Sequence, residues 1–89
     1  MKVRELFTDE SKWSQFAFAR NKYGGRVDLD DPYAYSFCII GAIRHCYPNE
    51  LASDIKTKIV RLIGDERLLR WNDTSKFSEI KKVVEFLDI

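Results

Sequence analysis

Asp31-Pro32-Tyr33-Ala34-Tyr35-Ser36-Phe37-Cys38-Ile39-Ile40-Gly41-Ala42-Ile43-Arg44-His45-Cys46-Tyr47-Pro48 is the stretch from which the fold is read. Asp31 can cap a helix with its carboxylate, and Pro32 at the first helical position lacks only an N–H that would go unpaired there anyway. From Tyr33 to Cys46 the residues are apolar nearly all round, which predicts a helix buried among other elements. Gly41 lowers helix propensity by ~1 kcal/mol relative to Ala. With Ala34, Cys38, Ala42 and His45 it makes a small-residue stripe where another element can approach closely. Tyr47-Pro48 ends the helix, because the residue before a proline avoids the α region.

Downstream, Leu51, Ile55, Ile59, Leu62 and Ile63 fall on one stripe opposite Asp54, Lys58 and Arg61, predicting a helix over 49–63 with Gly64 as its stop. A short helical turn is expected over 65–70, then an irregular Trp71-Asn72-Asp73. A last helix uses Ile80, Val83, Val84 and Leu87, with Thr74, Ser75 or Ser78 as its cap. Upstream, Trp13 to Arg20 suits either a helix or a strand, since Phe16 and Phe18 alternate with Ala17 and Ala19. The turn Tyr23-Gly24-Gly25-Arg26 favours a β-hairpin, 13–20 with 26–29, over a helix ending at Gly24. The expected fold is therefore mainly α: one small domain over residues 1–89, with three principal helices and a short N-terminal β-hairpin.

Several motifs occur in a fixed order: Trp13 and Gln15, Ala19-Arg20-Asn21 before a glycine turn, Phe37-Cys38-Ile39-Ile40-Gly41-Ala42-Ile43, and Trp71-Asn72-Asp73. This ordered set resembles a family of small bacterial and phage proteins of unknown function, marked by a Cys-x-x-Gly-Ala helix and a Trp-Asn-Asp turn. The resemblance covers roughly residues 13–88. The chain departs from the family in its short N-terminal lead and in the Lys/Phe-containing start of its last helix. What the resemblance implies is a one-domain architecture of phage or mobile-element type, with no reaction attached.

Composition narrows the function classes. Hydrophobic residues are 45% and the net charge is +1, which suits a globular chain and not a general polyanion binder. No apolar run approaches the ~20 residues of a membrane span, and no signal-peptide core opens the chain, so a cytoplasmic location and no membrane are expected. Cys38 and Cys46, eight apart on one helix, would lie about 12 Å apart and could not form a disulfide with each other. Two free thiols suit a reducing compartment.

Catalytic constellations are thin. Cys38 and His45 as nucleophile and base would be ~10 Å apart along a helix axis, far beyond hydrogen-bond reach. Zinc would need four ligands at spacings absent here, and Asp28-Leu29-Asp30-Asp31-Pro32 lacks the glycine and the bidentate glutamate of a calcium loop. Neither a metal nor a cofactor is expected, and no catalytic residue is assigned. The candidate binding residues are Trp71, Asn72 and Asp73, with Arg20 and His45. Trp71 is expected to pin a loop whose Asn and Asp bond their own backbone or the next helix start.

The function expected is a small interaction or regulatory protein that binds a protein partner stoichiometrically, more a binder than an enzyme. A heavy load of Trp, Tyr and Phe motivates it, because aromatic residues concentrate at interface hot spots. Two rivals stand beside it: a small enzyme with a pocket around Arg20, His45 and Asp73, and a weak nucleic-acid binder. The second would use Lys56, Lys58, Arg61, Arg67 and Arg70, which against Asp65 and Glu66 give segment 56–70 a charge of +3.

Overall fold

The computed structural model describes residues 1–89. In chain order it has α1 (Val3–Leu6), a 3₁₀ turn (Glu10–Lys12), β1 (Ala19–Arg20), β2 (Ser36–Phe37), α2 (Ile39–Cys46), α3 (Asn49–Ile63), α4 (Leu68–Thr74) and α5 (Phe77–Phe86). Each strand is only two residues long, so the fold is mainly α, as the sequence implies. Val3, Phe7, Phe37, Ile39, Ile43, Ile59, Ile80 and Val84 are among the sixteen buried residues of one continuous core, to which every helix contributes. No helix is long and apolar enough to cross a membrane.

The deciding stretch departs from expectation at its start. Asp31 does form a local cap, its Oδ1 accepting from the Tyr33 N–H at 2.7 Å, but this closes a turn and no helix follows. The chain then extends. The Tyr35 N–H donates to the Arg20 carbonyl at 2.8 Å, and Ser36–Phe37 pairs antiparallel with Ala19–Arg20. Tyr33, Tyr35 and Phe37 alternate with Ala34 and Ser36, a strand period that the surrounding apolar run conceals. Helix α2 starts only at Ile39, with Cys38 as its N-cap: the sulfur accepts from the Gly41 N–H at 3.3 Å, in the place a serine hydroxyl would take.

The expected hairpin is corrected in the same way. β1 takes β2 as its partner, and the limb at 26–29 contributes an isolated bridge between Arg20 and Arg26 with a Val27 N–H to Ala19 carbonyl bond. Residues 13–18 form no regular strand; Phe16 sits in the left-handed region at φ 64°. Helix α3 spans Asn49–Ile63 and ends at Gly64 in the left-handed conformation, φ 73°. Trp71-Asn72-Asp73 is helical, inside α4, and the helix ends where the Thr74 hydroxyl donates to the Arg70 carbonyl. Lys76 occupies the N-cap position of α5, and Glu79 folds back to accept from its N–H at 3.4 Å; Thr74, Ser75 and Ser78 do not cap it.

Candidate functional site

Asn72 is fully buried and uses all of its amide's directions. Its Oδ1 accepts from the Trp13 indole N–H at 2.7 Å and from the Ile39 N–H at 2.9 Å. Its Nδ2 donates to the Ser14 carbonyl and to Asp73 Oδ1, each at 3.0 Å. Ile39 opens α2, so its N–H has no partner within the helix, and Asn72 satisfies it from another element. Because both side chains reach across to distant segments, they do not compete for their own backbone, which is why this triplet stays helical.

Asp73 Oδ1 also accepts from the Phe16 N–H at 2.9 Å, holding a residue whose left-handed φ would otherwise cost ~1–2 kcal/mol. Gln15 donates from Nε2 to the Asn72 and Ser75 carbonyls, both at 3.1 Å, closing the C-terminal end of α4. Arg20 continues the chain of contacts: Nη2 donates to the Gln15 carbonyl at 3.1 Å and Nη1 to the Gly24 carbonyl at 2.9 Å. The backbone-bonding role expected of Asn72 and Asp73 is therefore present, but toward residues 13–16 and the start of α2. Neither residue bonds its own loop or the start of α5.

The structure does not assemble Arg20, His45 and Asp73 into a pocket. His45 is exposed on α2, its ring 4.6 Å from that of Phe37. Asp73 lines a cavity of about 370 Å³ with Phe16, Phe18, Arg26, Cys38 and Leu69, and neither Arg20 nor His45 lines it. Trp71 is half-buried against the core. Burial pushes the Cys38 thiol up, partly offset by the N–H of Gly41, and burial raises Cys46 to about 11. Both are protonated at neutral pH, so neither is poised as a nucleophile. No three His, Cys, Asp or Glu side chains converge in a way that could hold a metal ion.

The basic segment is interrupted. Lys58 and Arg61 border a cavity of about 540 Å³ together with Asp54 and Asp88, and Arg67 is paired with Asp65 at 3.1 Å. A phosphate approaching Lys58 and Arg61 would meet carboxylates beside them.

The sequence reading passed over a surface built from the tyrosines. Two turns face each other across a cleft of about 430 Å³ that includes Tyr23, Val27, Pro32, Tyr33 and Tyr35. Tyr23 is 85% exposed and Tyr33 78% exposed. In the first turn Asn21 Oδ1 accepts from the Tyr23 and Gly25 N–H groups at 2.9 and 3.0 Å, and Arg20 braces it through the Gly24 carbonyl. The Asp31 cap fixes the second. The alternation of Tyr33 and Tyr35 about Ala34 was the available signal for this face. We found no matching family model, no matching curated protein and no matching solved structure.

Proposed function

We propose that this chain is a small interaction or regulatory protein that binds a protein partner stoichiometrically, with the Tyr23, Tyr33, Tyr35 face as its contact surface. The observation that carries the proposal is that Tyr23 and Tyr33 stand out on two turns already locked by side-chain bonds, with Tyr35 between them on the extended backbone that leads into β2. Tyrosine supplies large contact area at low entropic cost, and turns fixed in advance reduce the ordering penalty of binding. Trp71, Asn72, Asp73, Arg20 and His45 then divide by role. Asn72 and Asp73 hold the scaffold, Arg20 positions the Tyr23 turn, and Trp71 and His45 flank the core.

A reducing cytoplasm is the proposed location, supported by two free thiols, and the ordered motifs favour the phage-type family they resemble. The enzyme and nucleic-acid alternatives rank lower, because Arg20, His45 and Asp73 lie apart and carboxylates interrupt the basic segment. The test is to purify the tagged chain from its native cell, identify the co-purifying protein and reconstitute the complex from pure components. A saturable complex of fixed stoichiometry that Tyr23→Ser/Tyr33→Ser abolishes is expected. A complex indifferent to that change, or a nucleic acid in place of a protein, would overturn the proposal.

A further inference from the structure

Part of the apolar stripe read along α3 is left out of the core. Ile55 and Ile59 are buried, whereas Leu51 is 48% exposed and Leu62 43% exposed. These two leucines stand eleven residues, about 16 Å, apart near opposite ends of the helix. Asp54, Lys58 and Arg61 lie between them, all three exposed. At roughly 100° per residue, the five fall within about one third of the helix circumference, beside the face that Ala52, Ile55 and Ile59 turn inward. All but Leu62 border the trough of about 540 Å³ that α3 forms with Tyr47, Leu87, Asp88 and Ile89.

The charges of this face say what covers it. Asp54, Lys58 and Arg61 are in no ion pair, while the trough's other carboxylate, Asp88, is already held by Lys2 and Arg4 at 2.8 Å. A chain of phosphates, or a helix of one charge sign, would meet a like charge along the stripe. The stripe is instead complementary to its own reverse. The midpoint between Leu51 and Leu62 and that between Asp54 and Arg61 differ by one residue, so a single twofold axis crossing α3 near Thr57 serves both pairs. That axis lays Leu51 of each copy against Leu62 of the other, and Asp54 of each against Arg61 of the other, so every contact is made twice. Lys58 sits close to the axis, where its long stem can carry the ammonium to Asp54 of either copy. From two half-exposed leucines and an unpaired, self-complementary charge pattern, we infer that α3 is a self-association surface that packs antiparallel on α3 of a second copy of this chain. It shares no residue with the tyrosine cleft and stands independently of the binding reading above.

The test is sedimentation equilibrium of the full chain from about 10 μM to about 1 mM, the range suited to a small interface built on one helix face. A monomer–dimer equilibrium is expected, weakening as salt rises because exposed charge pairs contribute to it. Asp54→Lys and Arg61→Glu should each weaken association at least about tenfold, since either change puts two like-charge contacts into the symmetric interface. Both positions are exposed, so each variant is expected to fold as the parent does. Mixed in equal amounts, the two variants should recover a dimer of near-parental affinity. In that pair the new lysine of one copy meets the new glutamate of the other, while the native Arg61 and Asp54 meet at the second contact. A parent chain that stays monomeric throughout, association indifferent to either single change, or a mixture that remains monomeric would each overturn the inference. So would a dimer that Tyr23→Ser/Tyr33→Ser disrupts while both charge variants associate like the parent.

Discussion

Asn72 is the side chain on which most of the polar interior depends. Replacing it by alanine leaves the Trp13 indole N–H, the Ile39 N–H and the Ser14 carbonyl without their partner. Each unsatisfied buried group costs ~1–3 kcal/mol, so Asn72→Ala should lose ~3 kcal/mol or more. At ~4–8 °C per kcal/mol for a domain of this size, thermal melting should fall by more than ~12 °C. A fall of only a few degrees would show that water replaces the amide at little cost. Gly41 is the second such residue. A Cβ there would lie 2.2 Å from the Phe18 carbonyl oxygen, which is backbone and itself accepts from the Cys38 N–H. Gly41→Ala should therefore destabilise by ~1–3 kcal/mol, against the ~1 kcal/mol gain that helix propensity alone predicts. Urea melts decide the sign. The sequence makes Gly41 legible as a close approach and Asn72 as a backbone-bonding side chain. Their partners are not legible, because Trp13 and Ile39 are 59 and 33 residues from Asn72 in the chain.

At the scale of elements, legibility follows how local the determining forces are. Helix α3 is set by its own apolar stripe and by Gly64, so its limits can be read directly. The segment 31–38 has a local helix cap and an apolar run, yet pairing with β1 draws it into a strand, and no local pattern records that pairing. The N- and C-terminal segments meet through a salt link: Asp88 accepts from Lys2 and Arg4, each at 2.8 Å, beside the bond from the Val3 N–H to the Ile89 carbonyl. The hydrogen bonds from Lys2 and then Arg4 hold the Asp88 carboxyl below its ordinary value of 3.8. A carboxylate whose folded pKa is depressed stabilises the fold above its unfolded pKa, and that contribution vanishes as pH falls through the folded value. Asp88→Asn keeps a residue suited to the left-handed φ of 54° at this position. Its melting deficit relative to the parent should therefore be largest at neutral pH and close as pH drops below 3.8. A deficit of constant size down to strong acid would assign the effect to packing.

For the whole molecule, the sequence-visible polar motif and the proposed working surface turn out to be different places joined by side chains. Asn72 is tied to Gln15, Gln15 to Arg20, and Arg20 to the turn that presents Tyr23. The network thus reaches the Tyr23 turn without lining the cleft. The aromatic load was legible from composition. Its location was not, because exposure depends on how residues 21–35 wrap over β1. The central claim is that partner binding resides in Tyr23 and Tyr33 and not in the Trp71-Asn72-Asp73 helix. The most direct measurement is the partner affinity of Tyr23→Ser/Tyr33→Ser by titration calorimetry, on protein whose melting temperature matches the parent. Loss of affinity of about tenfold or more is predicted, as for a pair of aromatic hot spots. Unchanged affinity in that folded variant would contradict the account.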